Sequence, residues 1–209
     1  SLPIHLLIQP QENNLYFPGL IGTTTRILLA NEKAEHAINQ LRWIKHHFES
    51  NQLLRAFWPQ VCWENPKRES PKWAEIAITV PRPMAYPEAS IEIVGVGGVI
   101  TGRHYGVIIK DDLVTREAAY SDTVMQSAIS WHQESRALFD DAEESLEFIS
   151  GTRWAVYDLY QEIIDKDVSV ETIVRAPIEN DQPIYPRQHD PLTGRMHGFS
   201  MKALMQLKE

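Results

Sequence analysis

Two adjacent acids, Asp111 and Asp112, close the apolar run of the stretch GVIIKDDLV, residues 106–114. Carboxylates side by side repel each other, and burial raises the cost, so such a pair needs a cation, a proton or hydrogen bonds. Magnesium meets that need, because it binds proteins through one or two carboxylates and completes its shell with waters and substrate phosphates. An acid at the tip of an apolar strand is also the Walker B pattern, in which the first acid steadies Mg²⁺ and the next orients an attacking water. The other reading is a turn opened by Asp111, with Asp112 capping the segment that follows. Lys110 interrupts the apolar run, and the stretch alone leaves both readings open.

The elements around the pair favour chemistry. RILLAN (26–31) is short and apolar and is followed by EKAEHAINQLRWIKHHFESN, whose Ala34, Ala37, Ile38, Leu41, Ile44 and Phe48 recur at helical spacing. That is a strand feeding a helix. Residues 58–90 hold many prolines and three of the six tryptophans, with one alternating strand, WAEIAITV, and read as an excursion from the main sheet. SIEIVGVGGVITG predicts a second core strand ending in a glycine-rich turn, GVIIKDDLV a third, SLEFISGT a fourth and VSVETIVRAPI a fifth. Helices are expected over TVMQSAISWHQESRALFDDAEE and RWAVYDLYQEIIDKD, and residues 179–209 read as a linker and a final helix. Alternation of this kind predicts a single α/β domain over 1–209 with a mostly parallel, three-layer sheet. Ligands of such sheets sit at the carboxyl ends of the strands, where Asp111 and Asp112 lie. Ser150, Gly151 and Thr152 end the next strand and should arrive beside them, where a hydroxyl or amide can sense a γ-phosphate. Arg103 and His104 follow the glycine-rich turn in a flexible setting, and Arg103 is expected to project from the carboxyl edge or a subunit boundary, unless it forms a salt bridge to Asp111 or Asp112.

Four segments in this order, RILLANEKAEHA, ITGRHYGVIIKDDLV, FISGTRWAVYDLY and VRAPIENDQPIYPR, resemble the ATPase domain of the large terminase subunit of tailed bacteriophages, the motor that packages DNA into capsids. The resemblance covers nearly the whole chain from Arg26 onward and implies a P-loop NTPase sheet, truncated at its N-terminus. It implies ATP and Mg²⁺ as cofactors, with Asp111 as the metal-associated acid and Asp112 in the catalytic position. Ser150, Gly151 and Thr152 match the coupling motif that links the phosphate site to movement of DNA, and Arg103 stands where such motors place an arginine finger or phosphate contact. Implied partners are double-stranded DNA, the portal protein and the small terminase subunit, in a homo-oligomeric ring in the bacterial host cytoplasm. The departure from the pattern is the phosphate-binding loop: no G-x-x-x-x-G-K-S/T occurs, and GLIGTTTRILL lacks the lysine and runs into a strand. The acidic cluster of the family's nuclease domain is missing too. With a first residue Ser1 and a last segment that still reads as a helix, the chain is expected to be the middle of a two-domain subunit, inactive or nearly so alone. A non-catalytic remnant that keeps the fold without binding nucleotide is the second class, and a Mg²⁺-dependent nuclease using Asp111 and Asp112 a weaker third.

The 209 residues are 43% hydrophobic and carry a net charge of −8, so there is no overall basic face and any DNA contact must be local. The single cysteine, Cys62, excludes an intrachain disulfide and a cysteine zinc cage and fits a reducing compartment. No apolar run reaches the ~20 residues of a membrane span. His36 and His47 are too far apart on one helix to chelate an ion, and His46 and His47 read as solvated surface. His189, Asp190 and His197 read as part of a polar linker, with a loop metal site as the alternative. Lys67, Arg68, Lys72 and Arg82 lie among Trp58, Trp63 and Trp73, a mixture that suits either DNA contact or lid packing.

Overall fold

A computed structural model describes residues 1–9, 22–98, 102–191 and 193–206. Much of the glycine and hydroxyl stretch before RILLAN, the tip of the glycine-rich turn at 99–101 and the last residues of the final helix lie outside them. The chain divides into two compact units, Ser1–Lys166 and Asp167–Glu209.

The first unit runs α1 (Leu2–Leu7), β1 (Ile27–Asn31), α2 (Ala34–Ser50), α3 (Gln52–Phe57), α4 (Pro66–Glu69), β2 (Ala77–Ile78), β3 (Ile91–Gly95), β4 (Val107–Asp111), α5 (Asp122–Ser135), β5 (Leu146–Ser150) and α6 (Leu159–Lys166). Its sheet has the order β2-β3-β1-β4-β5, parallel throughout except for the short edge strand β2. All five residues of β1 are buried, as a central strand covered on both faces requires. Alternation then divides the side chains. Ile27, Leu29, Ile91 and Val107 join Leu41, Ile44 and Phe48 of α2 and Leu6 and Leu7 of α1 in one core, with Ile93, Ile109 and Phe148 against it. Ala37, Leu41, Ile44 and Phe48 make the continuous buried stripe of α2. Asn51 ends that helix and starts α3, accepting the Leu53 and Leu54 amides at 3.1 Å.

The opposite face explains Lys110. Its side chain is wholly buried and ion-paired with Glu147 of β5, and its ammonium donates to His132 Nδ1 of α5 at 2.9 Å and to the His132 carbonyl at 3.2 Å. Arg136 reaches the same glutamate at 3.2 Å. A lysine inside an apolar run is therefore the crosslink between β4, β5 and α5, and helices cover the sheet from both sides.

Several expectations change. WAEIAITV pairs only through Ala77 and Ile78 and an isolated bridge from Trp73 to Ile78. The helix after β4 ends at Ser135, with a 3-10 turn to Leu138. The helix expected from Arg153 starts at Leu159, because the buried Asp158 accepts the Gln161 amide at 3.0 Å and fixes the N-terminus there. The fifth core strand does not form: residues 168–177 join no ladder, and Val168, Ile173 and Val174 are exposed. β-branched residues favour a strand only where neighbours pack against them, and these have none. The second unit instead holds two small hairpins, β6 (Ile178–Glu179) with β7 (Gln182–Pro183) and β8 (Gln188–His189) with β9 (Met196–His197), then α7 (Met201–Gln206). No helix among the described residues is long and apolar enough to cross a membrane.

Candidate functional site

The chain leaves β1 for β3 on one side and later returns to β4 on the other, so the strand order switches direction between β1 and β4. Open α/β sheets bind ligands outside the carboxyl ends at such a point. Here those ends supply Asn31 and Glu32, Asp111 and Asp112, and, one strand further, Ser150 to Thr152.

The parallel register sets Asp111 directly opposite Ser150. The Ser150 hydroxyl donates to one Asp111 oxygen and Gln40 Nε2 of α2 to the other. One residue on, the Asp112 amide donates to the Ser150 carbonyl at 3.0 Å, and the Glu32 amide to the Asp112 carbonyl at 3.1 Å. Three strand ends are thus tied through the two acids. Asp112 has φ 46°, the left-handed region, which ends the strand immediately after Asp111. Burial and then the Asp111 charge push its carboxyl above the ordinary value, against the Thr152 amide and His36, which pull it down. Asp112 is an exposed residue, so this desolvation is partial.

Around the pair, Thr115 donates to Glu32 at 2.9 Å, and the second Glu32 oxygen is buried with no hydrogen-bond partner among the described residues. His36 Nδ1 stands 3.2 Å from Asn31 Oδ1. Tyr160 of α6, 8% exposed, packs its ring on the turn after β5 so closely that a Cβ at Gly151 would overlap the phenol. Burial and the nearby Asp112 charge raise the Tyr160 hydroxyl above its ordinary value. A cavity of about 640 Å³ opens beside Asp111, lined at its polar end by Ser1, Gln40 and Ser150 and at its apolar end by Leu29, Ile109 and Phe148.

Five of the six expected site residues, Asp111, Asp112, Ser150, Gly151 and Thr152, therefore meet at one edge. Arg103 does not join them. It precedes β4 and lies at the amino edge, the length of the strand away, about 13 Å at ~3.3 Å per residue. There it pairs with Glu92, which is 2% exposed and also accepts the Tyr105 hydroxyl at 2.6 Å and the Ala89 amide at 3.1 Å. Burial works to raise the Glu92 carboxyl, but Tyr105, Ala89 and Arg103 outweigh it and hold it below its ordinary value. The salt bridge to Asp111 or Asp112, the alternative for Arg103, is not formed either; its partner is Glu92.

The other candidates also find places. His189 Nδ1 lies 3.2 Å from the Gly194 carbonyl, and no group of three or more His, Cys, Asp or Glu suited to a metal occurs among the described residues. Trp63 donates to the Thr79 carbonyl and Trp73 to Glu49, both at 2.7 Å, while Arg82 donates to the carbonyls of Tyr86 and Glu88, which are packing roles. Gln40, Glu32 and Tyr160 were not among the expected residues. Gln40 carries a sequence signal, a polar residue between Ala37 and Ile44 on the apolar stripe of α2; Tyr160 carries none. No protein-family model matches the chain, and no curated protein matches it.

Proposed function

We propose that the chain is the central part of the ATPase domain of a phage terminase large subunit, coupling ATP hydrolysis to translocation of viral DNA. The observation that supports this reading is the direct link between the two strand-end turns, from the Ser150 hydroxyl to Asp111 and from the Asp112 amide to the Ser150 carbonyl. A change at the acids is felt at once in the turn that resembles the coupling motif. The partners on this reading are double-stranded DNA, the portal protein and the small terminase subunit, in a ring in the host bacterial cytoplasm.

The residues fit Mg²⁺ bound in its usual partial manner. Asp111 offers one carboxylate oriented by Ser150 and Gln40, Asp112 a second, and no closed cage surrounds them among the described residues. Magnesium, when bound with ATP, would neutralise charge on the phosphate oxygens. Asp111 holds its carboxylate in a fixed direction at the switch point. Asp112, with its carboxyl raised above the ordinary value, is suited to orient a water and take its proton. Gly151 and Tyr160 fix the neighbouring turn against them.

A second reading is a remnant that keeps the fold without binding nucleotide. Both readings expect the isolated chain to hydrolyse ATP very weakly or not at all, since positioning and charge stabilisation supply nearly all phosphoryl-transfer catalysis. Binding separates them. A fluorescent ATP analogue should bind in the presence of Mg²⁺ and lose that dependence in Asp111→Asn; no Mg²⁺-dependent binding to the wild-type chain selects the remnant.

A further inference from the structure

We propose that a second concavity at the carboxyl edge is a stacking site for a nucleotide unit, taking a base between aromatic rings and its phosphate on Arg116. The pocket, about 650 Å³, is lined by Lys33, Thr115, Arg116, Glu117, Tyr120 and Trp154. Each of the three strand-end turns contributes: Lys33 stands two residues past β1, Thr115 three past Asp112, and Trp154 two past Thr152.

Three of these groups have chemistry left unused. Arg116 is exposed and makes no hydrogen bond or ion pair among the described residues. Tyr120 is 79% and Trp154 45% exposed, and neither ring packs against another aromatic or a cation among the described residues. The Tyr120 backbone is held by a 3-10 turn and the Trp154 amide by Asp158 at 3.1 Å, so both rings are presented from fixed backbone. Two open π faces beside an exposed guanidinium match a planar base carrying an anionic group. Lys33 is the weaker cation, because Glu117 holds it at 3.1 Å. A site with one or two cations also agrees with a chain of net charge −8, in which affinity for nucleic acid has to be local. The proposal does not depend on Asp111 or Asp112.

The source of the nucleotide, free or within a single strand, is decided by two probes. A fluorescein-labelled oligothymidylate is titrated with the full chain by anisotropy, and AMP by tryptophan quenching. Trp154→Ala and Arg116→Ala should each weaken binding about tenfold, while Trp154→Phe, which keeps a stacking face, stays close to wild type. Glu117→Gln frees Lys33 and should tighten binding. For the strand, log K should fall with log salt at a slope of about −0.7 to −1.4, the mark of one or two phosphate contacts. Binding of both probes should not require added Mg²⁺, which separates this site from the Mg²⁺ site. Tight binding of AMP alone marks a mononucleotide pocket; binding of the oligomer alone marks a strand site. Absence of binding by either probe overturns the proposal. So does unchanged binding in Trp154→Ala and Arg116→Ala, or a change of oligomeric state in Trp154→Ala without nucleotide binding, which would identify a protein interface.

Discussion

Asp112 carries two unusual burdens for one side chain, a left-handed backbone and a carboxylate next to another carboxylate. Its folded-state ionisation is raised above the unfolded value, so the native state holds the proton longer. Stability from this group is therefore present at low pH and lost as pH rises from the unfolded Asp value, near ~3.9, through the higher folded value. Asp112→Asn should raise the melting temperature at neutral pH, and the gain should vanish below the unfolded pKa. Asn also tolerates the left-handed conformation, which removes backbone strain as a competing effect. A thermal melt series across pH checks both limbs. Gly151 gives a steric test: Gly151→Ala must collide with the Tyr160 ring and should destabilise by about 1–3 kcal/mol, whereas Gly151→Ala combined with Tyr160→Ala should cost less than the sum of the two single changes. Denaturant melts of the four variants form the cycle. The acids were legible in sequence because a polar pair ending an apolar run has few explanations. Tyr160 was not, since an aromatic residue on a helix gives no sign of which turn its ring will cover.

Secondary elements carried most of the legible fold. RILLAN and its helix, the second to fourth strands and the order of connections follow from hydrophobic period and punctuation. What failed was the strand over 168–178, because β character depends on a partner that local sequence does not name. Arg103 shows a different lapse. A residue that precedes a strand lies at its amino edge, so its position before β4 already separated it from Asp111. Lys110 belongs to this scale as well, since it joins elements through Glu147 and His132. Lys110→Met removes one partner of a buried pair and should cost about 3–5 kcal/mol, even though Arg136 still reaches Glu147. Replacing the pair together, Lys110→Met with Glu147→Leu, should recover much of that loss by exchanging ions for packed apolar groups. Urea unfolding of both variants decides whether the pair is a structural tie; equal losses would contradict it.

For the whole molecule, charge and composition set limits on partners, while topology chose the site. Net charge −8 directs any nucleic-acid contact to small patches, and the switch in strand order brings three turns to one edge. Sequence could place the acids at a strand end beside the Ser150 turn but could not show that β1 would be the other neighbour of β4, and that neighbourhood determines what the acids touch. It also has a mechanical consequence. β4 and β5 are braced on both faces of the sheet, by Asp111 with Ser150 toward α2 and by Lys110 with Glu147 toward α5. Two braces on opposite sides of a strand pair oppose its shear and roll. A load applied at the acidic end is then carried to His132 on the far side without slack, and hydrogen exchange at α5 should register an event at Asp111 that a singly braced pair would absorb.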